Sequence, residues 1–159
     1  MAPVFSSGVP WAIARVVPRD QELAELRHLA SMALPGAGLW SSAGDLVRLG
    51  RAMLRGGELD GACILPPAYV ALMTREQTVV GLGDPADPVR AAHHALGWAK
   101  PDPRTDPASL AAFGHSVATG TRLWIDPQHD LVVVYLTGAW GFPSARIDGV
   151  IQAVYAALR

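Results

Sequence analysis

The sequence predicts an α+β fold: an antiparallel meander of three to four strands, with helices before it and a C-terminal helix packed on it. Two observations carry that reading. Apolar residues recur at helical spacing in the first half and again at the end, and between residues 95 and 137 the period changes to that of strands. Half of the 159 residues are apolar, enough for one sizeable core.

Taken in order, residues 1–20 show no clean period and contain Pro3, Pro10 and Pro18, so they read as an irregular arm. Over 21–33, Leu23, Leu26, Leu29, Ala30 and Ala33 predict a short helix ended by Pro35 and Gly36. Ser42 and Asp45 then have the spacing of a capping box, in which a Ser hydroxyl satisfies an orphan amide of the first turn. Leu46, Leu49, Met53 and Leu54 follow as one stripe, and Gly56 and Gly57 stop the helix. Pro66 and Pro67 suit a third helix entry, with Tyr69, Val70 and Met73 on its buried side. The Pro- and Gly-rich residues 81–88 read as a surface loop.

Strands are predicted at 95–99, 111–117, 121–125 and 131–137, the last two joined by the polar turn Asp126, Pro127, Gln128, His129 and Asp130. The apolar run at 131–136 suggests a central strand covered on both faces. Ile147, Val150, Ile151, Val154 and Leu158 form one helical stripe after Ser144, a suitable N-cap, and supply one covering layer.

Bulk properties exclude several classes of function. Thirteen Lys and Arg nearly cancel fourteen Asp and Glu, and they are scattered, so no footprint for nucleic acid or an anionic membrane appears. No apolar run approaches the ~20 residues needed to span a bilayer. The opening residues lack a basic leader before a continuous apolar segment, so they do not read as a signal peptide. The single cysteine, Cys63, excludes an internal disulfide and reads as a small buried hydrophobe; the compartment stays open. No cofactor motif is present. His93 and His94 are adjacent and so point in different directions in a strand, with no zinc-like cluster around them. Trp98 and Trp124 fall in predicted strands and read as core. Asp45 reads as a helix cap and Asp126 as a turn residue.

Three stretches, in this order, carry a resemblance: GAGLWSSAGDLVRLGRAMLRGG at 36–57, HALGWAK at 94–100 with Leu96, Gly97 and Trp98, and FGHSVATGTRLWIDPQHDLVVVYLT at 113–137. The chain resembles the C-terminal part of the serine β-lactamase-like family, which includes class C β-lactamases, penicillin-binding proteins, D-alanyl-D-alanine carboxypeptidases and related esterases. The resemblance assigns residues 36–159 to an incomplete β-lactamase/transpeptidase-like domain and leaves 1–35, the arm and short helix, without an alignment.

In that family a serine attacks a carbonyl carbon to form an acyl-enzyme that water resolves, and a lysine with a tyrosine or second lysine moves the protons. The nucleophile sits in Ser-x-x-Lys. None of the eight serines here has lysine three residues on, and without asparagine no Tyr-x-Asn can exist. The resemblance therefore implies a missing N-terminal catalytic portion and no complete catalytic set in this chain. What carries over is the family's third element, at His115, Ser116 and Val117, followed by Ala118. His115 would take the place of the cationic residue lining the pocket, and Ser116 that of the hydroxyl bonding the substrate's acyl or carboxylate end. The Ala118 backbone N–H would be one of two oxyanion-hole donors, a contact worth roughly 3 kcal/mol in the transition state. Val117 stands where the family usually has glycine, and its branched Cβ would crowd substrate lying along the strand.

The implied partner is a small-molecule or peptide acyl substrate. Two other readings compete. The chain could be a non-catalytic remnant that binds a ligand or partner beside the His115 strand, where exposed apolar surface would also permit self-association. Alternatively, residues 114–118 approximate the Gly-x-Ser-x-Gly elbow of α/β-hydrolases, with Ser116 as nucleophile; an elbow requires a helix immediately after the serine.

Overall fold

Why the chain folds as it does is seen first in its best-capped helix. In the computed structural model, which describes residues 5–6, 15–16, 24, 27–28, 31, 41–81, 91–117, 120–137, 139–140 and 144–158, helix α1 spans Ala43–Leu54. Ser42 is its N-cap: the hydroxyl accepts from the Asp45 amide at 3.2 Å and donates to the Asp45 carboxylate at 2.7 Å. The helix ends where Gly56 and Gly57 take φ of 71° and 95°, values that side chains resist. Leu46, Met53 and Leu54 enter the core, but Leu49 of the predicted stripe faces solvent.

The arm at 1–20, read as irregular, holds two short strands, β1 (Phe5–Ser6) and β2 (Arg15–Val16), paired antiparallel. Residues 24, 27, 28 and 31, inside the predicted 21–33 helix, are helical. After α1, β3 (Glu58–Leu59) and β4 (Ala62–Cys63) form a small hairpin, and Cys63 is exposed on it rather than buried. Helix α2 (Pro67–Thr74) begins at the predicted proline pair. Its buried residue is Val70, whereas Tyr69 is 58% exposed, so this short helix docks through a narrower face than its sequence suggested.

The main sheet is a six-stranded antiparallel meander. Its strands are β5 (Thr78–Gly81), β6 (Ala91–His94), β7 (Ala99–Lys100), β8 (Phe113–Ser116), β9 (Arg122–Asp126) and β10 (Leu131–Tyr135). The α+β class and the meander are as expected, with β5 and β6 as additional strands. The predicted strand 95–99 is instead mostly the turn between β6 and β7, with Gly97 at φ 75° and the Ala95 amide bonded to the Trp98 carbonyl at 2.8 Å. The predicted loop from residue 81 lies outside the described residues beyond Gly81. Strand β11 (Ala139–Trp140) pairs parallel with β1.

Two cores lie on opposite faces of the sheet. On one, Phe113, Leu123 and Ile125 meet Met53 of α1 and Val70 of α2, flanked by Trp98, Val132 and Val134. On the other, Ala112 and Trp124 meet Ile151 and Tyr155 of α3 (Ser144–Ala157). Strand β10 contributes to both, Val132 and Val134 to the first and Leu131 and Val133 to the second. Both faces of β10 are thus only partly covered, Leu136 at the end of the apolar run is 45% exposed, and among the described strands β10 is the outer strand of the meander, not a central one. Along α3 the buried line is Ile147, Ile151 and Tyr155; Leu158 is half exposed and Ser144 is the first helical residue rather than the cap. No described helix is long and apolar enough to cross a membrane.

Candidate functional site

Strand β8 positions the predicted site residues. His115 pairs with Leu123 and Ser116 with Arg122, and directly paired residues of an antiparallel ladder share a face. His115 therefore lies on the α1–α2 face and Ser116 on the α3 face. Both are exposed, as is Val117. Immediately afterwards the chain turns tightly: the Val117 amide donates to the Thr121 carbonyl at 3.0 Å and the Gly120 amide to the Val117 carbonyl at 2.8 Å, with Gly120 at φ 79°. Ala118 lies outside the described residues.

The Ser116 hydroxyl is held by a charged neighbour that sequence reading passed over. Arg122 Nε donates to Ser116 Oγ at 2.7 Å, and Arg122 Nη1 reaches Asp148 of α3 at 2.9 Å. A hydroxyl that accepts from a guanidinium keeps its own hydrogen for another acceptor. Among the described residues no hydrogen-bond partner of His115 is found, and its side chain is exposed. Ser116 is followed by the turn and then strand β9, not by a helix, so the elbow geometry is absent. At the root of the turn, Thr121 Oγ1 donates to the Thr137 carbonyl at 3.1 Å and ties the start of β9 to the end of β10.

Behind this strand lies the most connected polar group of the described structure. Asp126 is fully buried, and it does far more than shape a turn. Its carboxylate accepts from the Ser109 amide at 3.0 Å, the Ser109 hydroxyl at 2.5 Å, the Gln128 amide at 3.0 Å and the Tyr155 hydroxyl at 2.6 Å, with His129 Nδ1 at 2.9 Å. Burial pushes the Asp126 carboxyl up, but the bonds from Ser109, Tyr155 and His129 outweigh it and hold it at about 2. Burial and the same carboxylate push the Tyr155 phenol well above its ordinary range. The residue-type cue was present in Asp126-Pro127 and His129, but Ser109 and Tyr155 lie 17 and 29 residues away and no spacing rule links them.

Other candidates resolve simply. His93 Nδ1 sits 2.7 Å from Glu76, while His94 is exposed. Among the described residues no three His, Cys, Asp or Glu side chains converge as a metal site would require. Trp98 packs edge-on against Phe113 at 5.2 Å, and Trp124 is buried, so both belong to the cores. Asp45 is part of the α1 cap.

Comparison with known proteins gives the family of the chain. The family profile described as Beta-lactamase matches residues 3–157. Protein Rv1367c of Mycobacterium tuberculosis is 37% identical over 111 residues, which cover 64% of this chain and 28% of that protein. A penicillin-binding protein homolog from Caulobacter crescentus is 28% identical with a TM-score of 0.60, over 73% of this chain and 32% of that one. EstA from Arthrobacter nitroguajacolicus Rue61a, at 19% identity and a TM-score of 0.56, shares the fold across 98% of this chain and 46% of its own. The matched stretch of this chain thus spans little more than a quarter of the length of the curated relatives it matches in sequence. With the profile match running from near one end to the other, the chain belongs to the β-lactamase family of serine hydrolases.

Proposed function

We propose that this chain forms the pocket-edge portion of an acyl-transfer site, and that the attacking serine lies on polypeptide outside this sequence. The substrate is a β-lactam, a D-alanyl peptide or an ester. In this reading His115 lines the pocket and Ser116 donates its free hydrogen to the acyl or carboxylate end. The Ala118 amide polarises the carbonyl oxygen as charge develops on it. The nucleophile loses its proton to a base, the leaving group departs with a proton, and water then releases the acid.

One observation carries the reading: a chain matched over 3–157 by the family profile contains no Ser-x-x-Lys, yet its His-Ser pair lies exposed at the end of a sheet strand before a tight turn. The purified chain should not turn over nitrocefin or p-nitrophenyl acetate. Joined to an upstream segment bearing Ser-x-x-Lys, it should gain activity that falls on Ser116→Ala. Hydrolysis by the chain alone, abolished by Ser116→Ala, would overturn the assignment.

A second reading is favoured by Val117, which is 46% exposed at the position where the family usually has glycine. If its side chain blocks the site, the fold serves as a binding module. Thermal-shift titration with β-lactams and D-Ala-D-Ala peptides separates the two, since stabilisation without acylation in the joined protein supports the module. Sedimentation tests whether this surface also drives self-association.

A further inference from the structure

At the end of β8 away from His115, the sheet borders a groove of about 590 Å³ lined by Arg75, Glu76, His93 and Lys100 among apolar residues that include Leu110. Lys100 is the only lysine of the chain. Its half-buried ammonium donates to the Ala111 carbonyl at 3.2 Å and lies 5.9 Å over the Phe113 ring. An ammonium has three donors. Among the described residues no carboxylate pairs with Lys100: the nearby Glu76 is bound instead to His93 at 2.7 Å. Burial pushes the Lys100 ammonium down from its usual range, opposed by the charges of Glu76 and Asp126.

A partly desolvated cation with unused donors, opening onto a groove, is a site for an anion. The local charge narrows the class. Arg75 and Lys100 stand against Glu76 in the lining, and the Asp126 carboxylate acts on Lys100 from behind, so there is no excess of positive charge to hold a dianion and a monoanion is the better match. The walls narrow it further, because Leu110 is 68% exposed at the rim and Pro101, Pro103 and Pro127 complete an apolar lining. We propose that this groove binds a small monocarboxylate with an apolar tail, its carboxylate on Lys100 and its tail against Leu110.

The full chain is titrated with hexanoate at pH 7, with hexanol, hexylamine and inorganic sulfate as controls, and followed by NMR on the Lys100 side-chain nitrogen and the Leu110 methyls. Hexanoate should give saturable shifts at both residues, and the controls should not match its affinity. Lys100→Met, checked for folding by its thermal melt, should weaken binding by about tenfold or more, as expected for the loss of a charge-assisted hydrogen bond. Lys100→Arg should retain most of the affinity, and Glu76→Gln, which removes a like charge from the incoming anion, should tighten it several-fold. The proposal is overturned by an absence of saturable shifts, by hexanol or sulfate equalling hexanoate, by unchanged affinity in folded Lys100→Met, or by weaker binding in Glu76→Gln.

Discussion

Replacing Asp126 with asparagine should remove a pH-dependent share of the stability of the fold. The side chain is fully buried and accepts from Ser109, Gln128 and Tyr155, with His129 alongside, so its ionised form is favoured in the folded state. The sign follows from the folded carboxyl being depressed, from an ordinary 3.8 to about 2. The unfolded chain therefore takes up its proton first as pH falls. The contribution is fully present above the unfolded value and is lost as pH drops through the folded one. At about 1.4 kcal/mol per pH unit, that depression is worth roughly 2 kcal/mol at neutral pH, about half of it gone by pH 3. Urea unfolding of wild type and Asp126→Asn at pH 7 and pH 3 isolates the residue, because the other carboxylates cancel in the difference. The variant should be less stable at pH 7 by about 2–4 kcal/mol, since its amide also sets N–H groups against the Ser109 and Tyr155 donors. That gap should narrow by about 1 kcal/mol at pH 3. A gap that stays constant or widens between the two pH values would refute the ionised hub.

Two further predictions test how the helices are set against the sheet. A Cβ at Gly50 of α1 would come within 2.5 Å of Val132 Cγ1 on β10, so Gly50→Ala should destabilise the chain by about 1–3 kcal/mol despite the better helix propensity of alanine. Combined with Val132→Ala it should cost less than the sum of the single changes by about 1 kcal/mol, and strict additivity in thermal unfolding would deny the contact. Ser42→Ala should cost about 1 kcal/mol by exposing the Asp45 amide, measured by the same denaturation; an unchanged midpoint would mean that the cap contributes nothing.

The parts of this fold that were legible in the sequence are those whose signals are local. The α1 cap lies within four residues, and the β9–β10 hairpin is announced by Asp126-Pro127 between two apolar runs; Asp130 closes it at φ 48°. Strand β6 is the reverse case. Its sequence, Ala91-Ala92-His93-His94, has little strand propensity, and it is extended because β5 and β7 pair with it on either side. The apolar character of Leu96 and Trp98 predicts strand, but the positive φ of Gly97 lets the chain reverse there, and Trp98 packs partly buried against Phe113 from beside the turn. Helical spacing alone likewise put Leu49, Tyr69 and Leu158 on buried faces. Which face is covered depends on how far a neighbouring layer extends, and α2 and the end of α3 reach past it.

The site residues show the same division between type and placement. The His-Ser dipeptide was found from its flanks, but what distinguishes its two members is the alternation of the strand. His115 shares its face with Leu123 above the α1–α2 core, and Ser116 shares its face with Arg122 against α3. Two adjacent strand residues cannot both point into a pocket on one face of a flat sheet. A substrate touching both must therefore lie across the strand end, where Val117 and Gly120 turn the chain into β9. On the proposed reading that geometry gives Arg122 and Asp148 a reason to be there. They fix Ser116 from the α3 side, so that its hydroxyl stays at the strand end instead of turning inward. The same geometry places Val117, 46% exposed, at the strand end that such a substrate would cross.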